Sequence, residues 1–268
     1  MKFSKKQIED FIKKIHAGEI TEYDLPEDLY NSIADYLKTG IYKGYGINFD
    51  KLVKNINEEI VSNFDESDLE LLSELRDNIY MFSAAKTFQQ VKEMTEKLVD
   101  ENGTVRSFSD FKKDAKDIFY TYNNDWLKSE HTTAIGQAQS AVKWNSIEKQ
   151  KDILPYLVYD TIGDACDICE PLNGITAKVD DPIWNTIMPL NHFNCRCIVQ
   201  QSAEADLTPD DEKESSFNVA TKNMNAVFKM NAGKDGVVFD KSHPYFSVPK
   251  ADKTFAQNNF NLPIPKKD

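Results

Sequence analysis

The opening stretch SKKQIEDFIKKIHAG sets Ile8, Phe11, Ile12 and Ile15 three and four positions apart, the spacing of one helical face. Ser4 and Gln7 stand in capping-box spacing before that face and Gly18 follows it, so a first helix is predicted between them. Leu29, Ile33, Tyr36 and Leu37 keep the same period and predict a helix near 26–38. The two glycines of YKGYGINFD (42–50) predict a loop, and a further helix is expected near 50–62. A long helix near 66–99 carries Leu72, Leu75, Ile79, Phe82 and Ala85 on one stripe. After the turn DENGTVR (100–106), a stripe of Phe108, Phe111, Ala115, Ile118, Phe119, Tyr122 and Trp126 predicts another helix. Its continuation, WLKSEHTTAIGQAQSAVKW, puts Ala134, Ala138 and Ala141 on a shared face, small enough for another element to approach closely.

After residue 150 the period changes. PYLVYDTI (155–162) is a β-prone run, and CIVQQ (197–201) is expected to close a sheet by pairing with it. Pro171, Pro182 and Pro189, with Gly163 and Gly174, break the intervening segment into loops and short strands. A module of about 50 residues is too small for a generous core and benefits from a staple. SAEADLTPDDEKESS (202–216) has six acidic residues against one lysine and is expected to be an exposed linker. Short strands are expected in NAVFKM and GVVFD with GKDG as the turn between them, and NNFNLPIPKKD is expected to be an extended arm. The fold class predicted is therefore α+β. A helical region (1–104) precedes a domain of long helices and a Cys/His-stabilised module (105–201), an acidic linker (202–216) and a C-terminal tail with short strands (217–268).

Composition narrows the function. A net charge of −12 over 268 residues argues against a free-standing nucleic-acid binder, which carries a basic face. No run of about 18 apolar residues is present, and the lysine-rich N-terminus lacks a signal-peptide core, so no membrane span is expected. The thiols are then made in a reducing cytosol, where clustered cysteines more often hold metal than form bridges.

All four cysteines lie between 166 and 197, as CDIC (166–169) and NHFNCRC (191–197), the second run also holding His192. Cys-x2-Cys presents two thiolates to one ion, and a second such turn completes a tetrahedron around zinc. Five donors compete for four positions: Cys166, Cys169, His192, Cys195 and Cys197. His-x2-Cys copies the first turn, while Cys195 and Cys197 would share one face of a regular strand. The four-thiolate set is preferred, with His192 as a supporting group or alternate ligand. Disulfides between the two turns, and a nucleophilic Cys195 with His192 as its base, are the competing chemistries. Elsewhere AGKDG is no phosphate loop. Asp160, Asp164, Asp180 and Asp181 fit turn formers, and Glu130 with His131 is expected to be a surface pair without a catalytic role.

YDTIGDACDICEPLNGIT followed by MPLNHFNCRCIVQ resembles the phage Mu F-like minor head protein family, the phage head morphogenesis proteins. The matching positions are Asp160, Thr161, Asp164, Cys166, Cys169, Leu172, Gly174, Pro189, His192, Cys195, Arg196 and Cys197. WLKSEHTTAIGQAQSA is similar to the family's preceding helix, and NAGKDGVVFDKSHPYF to segments that follow the domain. The resemblance spans about residues 115–200, and MPLNH departs from the family's two prolines before the histidine. It implies a structural, non-enzymatic protein of a tailed-phage or prophage head, made in the bacterial cytoplasm and ending in the virion. Its implied partners are portal, capsid and scaffold proteins, which the helical N-terminus would dock. Packaged DNA is a family contact that the acidity here does not favour, and no small-molecule substrate is implied. Related modules also occur in toxins, so a hydrolytic effector using Cys195 and His192 is the alternative.

Overall fold

The computed structural model describes residues 3–47, 64–163 and 166–265. The helix expected near 50–62 and Asp164 lie outside these residues. In chain order the main elements are α1 (Lys5–His16), α2 (Glu27–Gly44), α3 (Glu66–Glu96), α4 (Phe108–Tyr120), a π-helical turn (Thr121–Trp126), α5 (Leu127–Gln150), β1 (Tyr156–Asp160), β2 (Thr176–Lys178), α6 (Trp184–Ile187), β3 (Ile198–Ser202) and α7 (Asp210–Asn223). This is the expected α+β composition. The chain packs as two compact units, Met1–Lys38 with Ile79–His131 and Pro244–Asp268, and Thr39–Asn78 with Thr132–His243. Among the described residues, no helix is long and apolar enough to cross a membrane.

In the first unit the capping box of α1 forms as its sequence dictates: the Ser4 hydroxyl accepts from the Gln7 backbone N–H, and the Gln7 side chain accepts from that of Ser4. Ile8, Ile12 and Ile15 are buried, and Phe3 and Phe11 meet Phe119 of α4 edge-on at 5.2 and 5.7 Å. The part of α3 in this unit is buried on nearly every face, through Ile79, Phe82, Ala85, Phe88 and Val91, as suits a central helix. Tyr122 is buried as the stripe predicts, but Trp126 is exposed and Leu127 is buried instead. The π-helical turn explains this, because its wider winding delays the buried face by one position.

Among the described residues, the C-terminal ones are not an extended arm and hold no strands. They form short helical turns at Pro244–Phe246, Lys250–Asp252, Lys253–Gln257 and Asn259–Asn261. Phe260 stacks on Phe88 at 4.8 Å, and the Tyr30 hydroxyl donates to the Pro263 carbonyl at 2.6 Å. Burial of Tyr245, Phe260 and Leu262 holds these turns in place, and single turns leave no period to read in the sequence.

In the second unit the sheet has the order β2-β1-β3, antiparallel throughout, with Leu157 opposite Ala177 and Gln201, and Tyr159 opposite Val199. The pairing of β3 with β1 is the one predicted. Leu157, Tyr159 and Val199 bury one face against Trp144 and Ile147 of α5, while Ile198 on the other face is exposed. Ala138 is buried, and a Cβ on Gly44 would stand only 2.5 Å from its Cβ, so the small-residue face does admit a close neighbour. The acidic stretch is only partly a linker. From Asp210 it is α7, whose first turn holds Asp210, Asp211 and Glu212 where the helix dipole favours negative charge. Ala220 and Met224 then join the core. Where short strands were expected in NAVFKM and GVVFD, the chain forms helical turns at Ala226–Phe228 and Ala232–Asp235, closed by Gly236 in the left-handed region.

Candidate metal centre

β1 delivers the chain to the first cysteine turn. Beyond its end Asp160 accepts from the Ile162 N–H at 2.7 Å, and Asn173 accepts from the Thr161 N–H and hydroxyl at 3.2 and 3.0 Å. The Cys166 carbonyl then accepts from the N–H groups of Cys169 at 2.9 Å and Glu170 at 2.8 Å. Gly174 turns back at φ +81°, a value glycine adopts freely, and its N–H donates to the Tyr159 carbonyl at 2.8 Å.

The second turn repeats the first. The Cys195 N–H donates to the His192 carbonyl at 3.1 Å, as the Cys169 N–H does to Cys166. Asn194 within it takes φ +60°, which asparagine tolerates better than other side chains that carry a Cβ. Cys195 and Cys197 lie in the loop before β3 and not on the strand, which begins at Ile198.

The five predicted donors fall into two groups of three that share Cys169. The ligand atoms of Cys166, Cys169 and His192 lie within 4.8 Å of one another, as do those of Cys169, Cys195 and Cys197. These groups could hold a metal ion. Cys169, which the two groups share, is fully buried, and all four thiols are free. The Cys169 and Cys195 sulfurs are 3.9 Å apart. A tetrahedral zinc with Zn–S near 2.3 Å sets its sulfurs about 3.8 Å apart, so this edge is already at ligation length. The Cys166 sulfur and His192 Nε2 are 3.2 Å apart, against about 3.6 Å for a tetrahedral S–N edge. His192 thus faces Cys166, which is not how a base for a Cys195 nucleophile would stand.

The sulfurs are electrostatically crowded. Hydrogen bonds from the Cys169 and Cys197 thiols, with the backbone N–H groups of Asn191 and Cys197, hold the Cys195 thiol far below its ordinary value despite burial. Cys169 is pushed far up by Cys195 and Cys197 and by burial. Contact with Cys169 pulls the Cys197 thiol down, but Cys195 and burial outweigh it and leave Cys197 at about 11. A divalent ion held among these sulfurs would favour the thiolate form of each.

Two residues beside the sulfurs carry no motif signal. Asn191 and Tyr159 are both buried, and the Asn191 amide donates to the Tyr159 hydroxyl at 2.8 Å. Only the inward parity of Tyr159 on β1 hints at its place. Asp180 and Asp181 lie in the turn after β2, as expected: Asp180 pairs with Lys151 at 3.1 Å, and Asp181 pairs with Lys213 at 2.6 Å while accepting from the Ile183 N–H. Glu130 and His131 are not a surface pair, because both are buried. Glu130 pairs with Lys86 at 2.8 Å, and His131 stacks on Tyr36 at 4.4 Å. The partners come from 44 and 95 positions away, beyond the reach of local pattern.

Residues 89–200 match the family described as Phage Mu protein F like protein. The Mu-like prophage FluMu F protein of Haemophilus influenzae is 31% identical over 80 residues, which are 29% of this chain and 18% of that protein. The chain therefore covers less than a fifth of that relative's length. No solved structure matches.

Proposed function

Because residues 89–200 are a phage Mu F-like segment, we propose that this protein is a non-enzymatic minor head component, acting in head morphogenesis and held in shape by one structural zinc. The observation that carries the zinc is the pair of matching turns, Cys166 to Cys169 and His192 to Cys195, meeting at a 3.9 Å sulfur–sulfur edge. Cys166, Cys169, His192 and Cys195 hold the ion. His192 Nδ1 lies 2.9 Å from the Phe193 carbonyl, a contact that keeps the proton there and leaves Nε2 to bind metal. Cys197 is the alternate donor for the histidine's corner. When bound, zinc neutralises the thiolates and ties the loop after β1 to the loop before β3, with no open coordination position for chemistry.

The helical region before residue 105 docks portal or capsid proteins, and the protein ends in the virion. The net charge of −12 supports protein partners over packaged DNA. The test is deletion of the gene from its phage combined with co-purification of the tagged protein with portal. Loss of filled heads and recovery of portal are expected. Normal head yield, or absence from heads and from portal fractions, overturns the assembly role.

A further inference from the structure

We infer that the outer edge of β3 is a docking site for an extended, acidic segment of a partner protein, which adds to the sheet as a further strand. The order β2-β1-β3 leaves two outer edges. At β2 the edge is closed: the Thr208 N–H donates to the Thr176 carbonyl at 3.0 Å, and the Thr176 N–H donates to the Thr208 hydroxyl at 2.9 Å. At β3 it is not. Tyr159 turns its main chain toward the β2 side, donating to the Ile175 carbonyl at 2.9 Å and accepting from the Gly174 N–H at 2.8 Å. Main-chain direction alternates along a strand, so Tyr156, Val158 and Asp160 face β3 and pair with Ser202, Gln200 and Ile198 opposite them. Val199 and Gln201 therefore aim their N–H and carbonyl groups outward, where no main-chain group among the described residues bonds them. The Gln201 side chain points the other way, donating to the Ile147 and Leu154 carbonyls at 3.0 and 2.8 Å.

This edge borders a groove of about 680 Å³ between β3 and α5. Val199 is buried, and buried main-chain groups in folded proteins are nearly always paired, so its outward N–H and carbonyl call for a partner. An added strand supplies acceptor and donor in the alternation that the edge presents. The side chains narrow the choice of strand. Met188, Leu190 and Ile198 give apolar walls, Lys143 and Arg196 give two cations, and none of the lining residues is acidic. Lys143 is exposed and makes no ion pair among the described residues. In a chain of net charge −12, a cationic groove without carboxylates selects acidic side chains. It also disfavours a second copy of this chain, since symmetric pairing would bring the same cations to both sides of the interface. The groove lies outside the helical region proposed above to dock head proteins, and its chemistry does not depend on that role.

The test uses the full chain and three fluorescein-labelled nine-residue peptides, read by fluorescence anisotropy. One alternates valine with glutamate and one alternates valine with lysine. The third is the glutamate peptide N-methylated at two adjacent central residues, which removes a donor from each of its edges. Wild type is expected to bind the glutamate peptide about tenfold more tightly than either of the others. Lys143→Glu, at an exposed position, should melt like wild type, weaken the glutamate peptide and bind the lysine peptide better. A wild-type chain that binds no glutamate peptide at millimolar concentration, or that does not distinguish the three, overturns the proposal. Binding that Lys143→Glu leaves unchanged does so too. A dimer of the chain that excludes the peptide assigns the groove to a second copy, and an oligonucleotide of equal charge that displaces the peptide at lower concentration assigns it to nucleic acid. Either result overturns the acidic segment as its occupant.

Discussion

Lys86 and Glu130 offer a sharp test of how the first unit is held together. Their side chains are 0% and 8% exposed, and Nζ lies 2.8 Å from Oε1. Tyr245 donates to the same Glu130 oxygen at 3.0 Å, and the Lys86 ammonium lies 5.0 Å and 5.3 Å from the ring centres of Tyr245 and Tyr122. Burial pulls the Lys86 pKa down and pushes the Glu130 pKa up, and each partner's charge opposes its neighbour's shift. Neither charge is at home here without the other. Lys86→Met keeps most of the stem and leaves a buried carboxylate with one tyrosine donor, for which about 3–5 kcal/mol is expected. At about 2–4 °C per kcal/mol for a chain of this size, melting should fall by roughly 6–20 °C. Glu130→Leu should cost a similar amount. The double variant should recover most of the loss, because no orphaned charge remains. A double-mutant cycle by urea denaturation reads the coupling. Single variants that each cost under about 1 kcal/mol, as an exposed pair would, contradict the buried-pair account.

Other consequences can be checked with the same material. Asn194→Val places a β-branched residue at φ +60° and should cost about 1–2 kcal/mol with weaker metal retention, whereas Asn194→Gly should melt like wild type. Gly44→Val brings side-chain atoms against Ala138 Cβ and the Ile135 carbonyl, where a Cβ alone would already stand at 2.5 and 2.7 Å, and overpacking of about 1–3 kcal/mol should appear as a lower urea midpoint. Burial lowers the Lys38 pKa, but hydrogen bonds to Asp35 and Tyr80 outweigh it and leave it raised. Its stabilising contribution is thus full below about pH 10.4, the unfolded value, and is lost as pH rises through the folded one. Lys38→Met should flatten the alkaline end of the stability curve, and an unchanged slope there would count against the pairing.

Much of this architecture was legible because it is local. The Ser4–Gln7 box, the long helices and the pairing of β3 with β1 each follow from spacing within one or two segments. The five donors stood out because cysteine and histidine are scarce in this chain and clustered. What sequence did not disclose depends on partners far along the chain. Glu130 looks like a surface residue until Lys86 and Tyr245 surround it, and the C-terminal aromatics need Phe88 before their turns have a reason to form. Trp126 was misplaced because a single π-helical turn changes the register without any residue that announces it. The acidic run at 210–212 reads as solvated linker, although the same charges suit a helix N-terminus. Asn191 and Tyr159 escaped notice since a supporting hydrogen bond leaves no motif.

The central claim is that CDIC and NHFNCRC close on one metal ion. Protein purified under reducing, zinc-replete conditions should carry close to one zinc per chain by elemental analysis. The same sample should show four free thiols after denaturation with chelator. The zinc should fall to near zero in Cys169→Ser, which removes the buried sulfur common to both donor groups. A wild-type chain with no zinc, or with its cysteines paired in disulfides, contradicts the account.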